Sequence, residues 1–90
     1  MMFKLNVGDV CKLNETIPGI YKSGDWKTGL YRVKWIGATM CYGSDRNDPR
    51  RQSYQFEKIK KDGTVYKSFN NGYRCQAWDK MIDDGRVEIV

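Results

Sequence analysis

The chain has 90 residues, with 16 Lys and Arg against 11 Asp and Glu, no histidine and a formal net charge of +5. That length holds one small core, and no stretch approaches the ~18–20 consecutive apolar residues that a membrane helix needs. Apolar residues at 40% and charged residues at 30%, with three Trp, six Tyr and three Phe, exclude a wholly disordered chain.

The start, MMFKLNVGDV, shows neither the apolar region nor the cleavage site of a secretory signal. Cysteines at 11, 41 and 75 are odd in number, far apart and without a CxxC, which argues against a disulfide framework and a zinc site. A reducing, cytoplasmic setting is therefore expected, with no metal or cofactor.

Period-two alternation dominates the chain and predicts strands. VGDVCKL gives a first strand near 8–13. Residues 14–28, with Pro18 and several glycines, read as a long loop in which Trp26 is exposed. In GLYRVKWIG, a strand over 29–37 puts Tyr31, Val33 and Trp35 on the core face and Arg32 and Lys34 on the other. The arginine-rich GSDRNDPRRQ (43–52) has no apolar side chain and contains Pro49, so it is expected to be a flexible loop at a hairpin tip. SYQFEKIK gives a strand over 53–60, in which Ile59 falls out of phase with Tyr54 and Phe56. A bulge near Glu57–Lys58 is expected to restore the register. The KDG (61–63) and NNG (70–72) stretches supply residues suited to tight turns, so strands at 64–69 and 73–76 should complete a meander. Cys75, Trp78 and Ile82 then lie three and four apart, predicting one short helix over 76–84 capped by Gly85, before a final strand in RVEIV.

The expected fold is mainly β: a small antiparallel barrel, SH3-like or OB-like, with one short helix before the last strand. A flatter sheet with the helix across one face is the alternative. The core should contain Tyr31, Trp35, Phe56, Phe69 and Trp78.

Catalytic residue patterns are scarce. The absence of histidine removes the usual proton-transfer group and imidazole metal sites, and no phosphate-cradling glycine motif occurs. Cys41 lacks a base to activate it, so a partly buried thiol is expected there. The pattern points to a non-enzymatic binder.

Charge is the stronger signal. Residues 1–75 hold 14 Lys and Arg against seven Asp and Glu, whereas 76–90 hold two against four. If 29–37 pairs with 53–60, then Arg32, Lys34, Lys58, Lys60 and Lys61 lie on one ribbon, with Arg46, Arg50 and Arg51 in the loop at its tip. Tyr42, Tyr54, Tyr66 and Trp26 would lie nearby. Cations interleaved with aromatic rings suit single-stranded nucleic acid, whose phosphates meet Lys and Arg while its bases stack. The same residues on a solvated strand face also serve simple solubility. An acidic protein partner is the second reading.

The stretches MMFKLNVGDVCKL, YKSGDWKTGLYRVKWIG and VYKSFNNGYR resemble the small basic accessory proteins of T-even-like tailed phages. That resemblance has no diagnostic motif and assigns no residue a role. It implies a protein of the host cytoplasm that binds a host factor or inhibits a defence nuclease, acting on protein or through RNA.

Overall fold

The computed structural model describes residues 3–19, 24–38, 48–67, 69 and 71–90. Its strands are β1 (Val10–Leu13), β2 (Gly29–Ala38), β3 (Gln52–Ile59), β4 (Asn71–Arg74) and β5 (Val87–Ile89). A 3-10 turn at Pro49–Arg51 precedes β3, and one helix, α1 (Cys75–Asp83), joins β4 to β5. All neighbours are antiparallel, in the order β4-β3-β2-β1-β5.

The mainly β expectation holds, but the sheet does not close into a barrel. β4 and β5 lie at opposite edges, and α1 carries the chain between them, touching β3, β4 and β5 on the way. The helix thereby covers the face that a barrel would enclose with its own far strands. This is the flatter arrangement named above as the alternative.

The pairing of β2 with β3 runs from Leu30 opposite Ile59 to Ala38 opposite Gln52, as the expected hairpin. Alternation carries Tyr31, Val33, Tyr54 and Phe56 inward, where they are buried with Cys11, Leu13 and Val87. The register then shifts between Val33 and Trp35, making Lys34 the extra residue of a bulge. Beyond it Ile36 takes the inward position opposite Tyr54, and Trp35 faces out opposite Gln55. Trp35 is 43% exposed, which corrects its expected place in the core. The bulge lies in β2 and not in β3, whose register is unbroken at Glu57–Lys58. Ile59 is out of phase because it lies on the other face, buried there beside its bridge partner Val65.

The KDG turn forms as expected, with Gly63 at φ +89° and the Asp62 carboxylate accepting the Thr64 N–H at 2.9 Å. Among the described residues of 64–69, the expected strand does not form. Only Val65 bridges back to Ile59, after which β4 takes over the same edge of β3, from Phe56 to Ser53. One strand edge accepts one partner at each position, so the two segments share it in succession. Asn71 and Gly72 consequently lie within β4 and make no reversal of the chain.

Helix α1 lays Cys75, Trp78 and Met81 on the sheet and ends at Gly85, φ +82°, with the Arg86 N–H reaching the Met81 carbonyl at 3.0 Å. Trp26 also enters this core. Paired backbone hydrogen bonds with Ile17, 3.0 and 2.8 Å, hold it, and it is 1% exposed. Its ring centroid lies 4.9–5.7 Å from those of Phe69, Tyr31, Tyr73, Trp78 and Phe56. The expectation of an exposed, partner-facing Trp26 is thus corrected. Glycines mark a loop's backbone as surface, but they do not decide where its one large side chain goes.

Candidate functional site

On the face of the sheet turned away from α1 the residues fall into ranks across the strands; Lys12 and Trp35 are exposed there, Ile59 and Ser53 buried and the rest half-buried. Lys12, Leu30 and Ile59 form the first; Val10, Arg32 and Glu57 the second. After the bulge come Trp35, Gln55 and Gly72, then Gly37, Ser53 and Arg74. These ranks span about 20 Å, at about 3.3 Å per residue of β3.

Two glycines shape the middle of this face. A Cβ on Gly37 would come within 2.7 Å of Cζ3 of Trp35, so the indole lies over the bare Gly37 backbone. A Cβ on Gly72 would come within 2.8 Å of the Gln55 side-chain oxygen. Here the absence of side chains lets an indole and an amide lie across the strands. Arg32 stands beside this platform, with Nε and Nη2 both 2.6 Å from Oε1 of Glu57, so its charge is matched across the strands. Lys34, at the bulge, is exposed.

At the KDG end, Lys12, Lys58, Lys60 and Lys61 surround a cleft of about 530 Å³ with Leu30, Ile59 and Tyr66 in its walls and no carboxylate among its lining residues. Lys58 Nζ lies 5.5 Å from the Tyr31 ring centroid and 5.7 Å from that of Tyr66; Lys60 Nζ lies 5.3 Å from Tyr66. None of the four lysines forms an ion pair among the described residues.

At the opposite end, Asp48, Arg50, Arg51 and Arg74 line a shallow depression of about 300 Å³. Arg50 is committed there: its Nε and Nη2 donate to the two Asp48 oxygens at 3.1 and 2.9 Å, while its backbone N–H donates to Oδ1 at 3.0 Å. These bonds from Arg50 hold the Asp48 carboxyl below the usual carboxylate range. Arg74 donates to the Arg51 carbonyl at 2.9 Å; the Arg51 guanidinium makes no ion pair among the described residues, although its charge helps to lower the Asp48 pKa.

The expected constellation is therefore divided. Lys58, Lys60 and Lys61 gather at one end of the ribbon, and Arg50 and Arg51 at the other. Arg32 is neutralised between them. Arg46 and Tyr42 lie outside the described residues, as does the rest of GSDRNDPRRQ before Asp48, while Asp48–Arg51 form a capped 3-10 turn.

Tyr54 is structural. Its hydroxyl donates to Asp79 Oδ1 at 2.6 Å and accepts the Leu5 N–H at 3.3 Å, and burial with the Asp79 carboxylate raises its pKa. Trp35, Lys12 and Arg74 were missed as site residues. The signal for Trp35 was the WIG triplet, two adjacent apolar residues with a glycine two positions after the tryptophan, which fits a bulge better than a continuous inner face.

Burial pushes the Cys11 thiol up to about 11 and the Cys75 thiol up to about 12, so both are protonated near neutrality. The buried Trp78 indole N–H has no hydrogen-bond partner within bonding distance among the described residues, and its nearness to Cys11 offsets part of the rise there. Among the described residues, no cluster of Cys, Asp and Glu is arranged to hold a metal ion. No family model, curated protein or solved structure matches this chain.

Proposed function

We propose that this protein is a non-catalytic module that binds single-stranded nucleic acid, RNA or DNA, along the open face of its sheet. The observation that carries the reading is Trp35, an exposed indole laid over Gly37 between two basic ends. An outward tryptophan in a small protein loses the benefit of burial, and a flat ring on a glycine backbone offers a π-face to an unpaired base. Lys12 stands on this face at one end, beside the cleft lysines, and Arg51 and Arg74 lie at the other; these cations support contacts to the phosphates on either side. A face about 20 Å long is close to the lower end of single-strand site sizes, about four nucleotides.

The test is fluorescence anisotropy with labelled oligouridylate and oligothymidylate over a range of salt concentrations. Affinity should fall as salt rises, because phosphate contacts release counterions. Trp35→Ala should weaken binding by about 1–3 kcal/mol, the worth of one stacked base. Absence of binding at low salt overturns the reading. In that case, capture of an acidic protein from nuclease-treated lysate through the same lysines and Arg51 supports the second reading.

A further inference from the structure

We propose that the lysine cleft at the KDG turn is a separate pocket for a nucleoside monophosphate, free or as the phosphorylated end of a strand. Its occupant is defined by three properties of the walls. Lys12, Lys58, Lys60 and Lys61 all line the cleft with no carboxylate among its lining residues, whereas Lys4, Arg32, Arg50 and Arg86 are each paired with an acid. Lys12 has Glu88 as its cross-strand neighbour and Lys61 is followed by Asp62, but neither acid lines the cleft. A wall with four lysines and no acid calls for an anion with several acceptor oxygens, and a terminal phosphate offers up to two charges and three such oxygens.

The second property is size. At about 530 Å³ the cleft greatly exceeds an inorganic anion and falls within the range of small-ligand pockets. The third is the apolar and aromatic part of the wall. Leu30 and Ile59 lie side by side on adjacent strands, and Tyr66, 41% exposed, lines the same cleft. Lys58 and Lys60 rest over that ring. A phosphate deeper in the cleft would draw the two ammonium groups toward itself and leave the ring for a base.

Gly29 helps to form the opening. Its φ of +150° disfavours a side chain, and a Cβ there would come within 3.0 Å of Lys58 Cε, so the bare backbone leaves the lysine stem room to cross the rim.

The strand-end form of this proposal rests on the nucleic-acid reading above; the free-nucleotide form does not, and the experiment separates them. Nuclear magnetic resonance titrations with AMP, adenosine and inorganic phosphate would follow the Tyr66 ring signals of the intact chain. AMP should shift them saturably, adenosine far less, and the Lys60→Gln/Lys61→Gln variant should abolish the AMP response while keeping a native spectrum. An oligonucleotide with a 5′-phosphate should bind roughly five- to tenfold tighter than its 5′-hydroxyl twin, the scale of an added charge-assisted contact. The double variant should erase that preference, whereas Trp35→Ala should weaken both oligonucleotides equally.

Equal responses to AMP and adenosine, or an AMP response that survives the double variant, overturn the pocket. So does a poly-glutamate peptide that shifts Tyr66 when AMP does not. If AMP binds with lysine dependence but no oligonucleotide binds, the pocket stands and the open-face reading falls. If oligonucleotides bind without end preference and AMP is inert, the pocket falls and the face stands.

Discussion

Trp26 and Trp35 lie on opposite sides of the same sheet. Trp26 belongs to a cluster in which six aromatic rings meet at edge-on and tilted angles, with α1 closing over them. Trp35 has no such cover; it lies over a glycine on a face flanked by cations. The difference comes from one inserted residue, Lys34, since without that bulge Trp35 would point inward and Ile36 outward. A side chain of the highest core value has thus been placed where it adds little to stability. That separation of stability from exposure makes the two faces experimentally distinguishable.

The largest effect should come from the covered face. Trp26→Ala or Trp78→Ala should destabilise by about 3–5 kcal/mol, a large share of what a domain of this size has. Trp35→Ala should change stability by no more than about 1 kcal/mol. Urea denaturation of the three variants checks this. A Trp35→Ala protein as unstable as the other two would mean that the indole is structural and would remove the main support for the binding face.

Next in size is an alkaline weakening confined to the covered face. Burial raises Cys11 from 9 to about 11, Cys75 from 9 to about 12 and Tyr31 from 10 to about 12. For groups raised in the folded state, the unfolded chain loses its protons first as pH climbs. Their contribution is complete below about pH 9 and is lost progressively up to about pH 12. Stability should therefore fall across that window, and Cys11→Ala/Cys75→Ala should show a shallower fall. The same burial predicts that neither thiol reacts with a disulfide reagent in the native protein at neutral pH. The denatured chain should yield three thiols. A native Cys11 or Cys75 that labels as fast as a free thiol would contradict the packing.

The contrast between the faces also accounts for what the sequence made legible. Alternation in 29–37 and 53–60, the KDG turn and the Gly85 cap are local signals, and each led to the right element within a residue or two. The locations of the two exposed and buried tryptophans are not local. Trp26 is buried because an Ile17 bridge brings a glycine-rich loop back onto the sheet, and that pairing leaves little trace in composition. Ile59 announced an irregularity, but an out-of-phase apolar residue has two explanations, a bulge or cover on the other face. Barrel closure depended on where the last strand docks, and β5 joins β1 at one edge while β4 ends the other. For the site, lysines close in sequence stayed together, whereas Lys12 joined them only through strand pairing. Arg32 and Arg50 had acids waiting that formal charge could not locate.

A smaller change tests the platform itself. Gly37→Ala puts a methyl group 2.7 Å from Cζ3 of Trp35, closer than packed carbons allow. The exposed indole should swing away at a modest cost of about 1 kcal/mol or less, because its far edge is free to move. Binding to oligouridylate should weaken toward the level of Trp35→Ala, accompanied by a shift in tryptophan emission. Unchanged binding with a displaced ring would show that the indole is not a stacking surface.

The finest distinction lies within the arginine end, between a committed guanidinium and an available one. Arg50 is held by Asp48 through two side-chain hydrogen bonds, while Arg51 makes no ion pair among the described residues. Both are exposed, so neutralising them together should leave stability nearly unchanged. In binding they should differ. Arg51→Gln should flatten the salt slope by about 0.7, the share of one phosphate on a single strand. Replacing Arg50 alone is a poor probe, since it leaves the Asp48 carboxylate facing the ligand. Asp48→Asn is cleaner, because asparagine keeps the capping oxygen of the Pro49–Arg51 turn while releasing Arg50. It should tighten oligonucleotide binding a few-fold and steepen the salt slope, with little change in melting temperature. Mild acid should not mimic it: hydrogen bonds from Arg50 lower the Asp48 pKa, so the contact is present above the pKa of the unfolded aspartate and is lost as pH falls through the lower folded-state value. If Asp48→Asn weakens binding instead, the paired Arg50–Asp48 unit is itself the recognition element, and the distinction between committed and available arginines fails at this end of the ribbon.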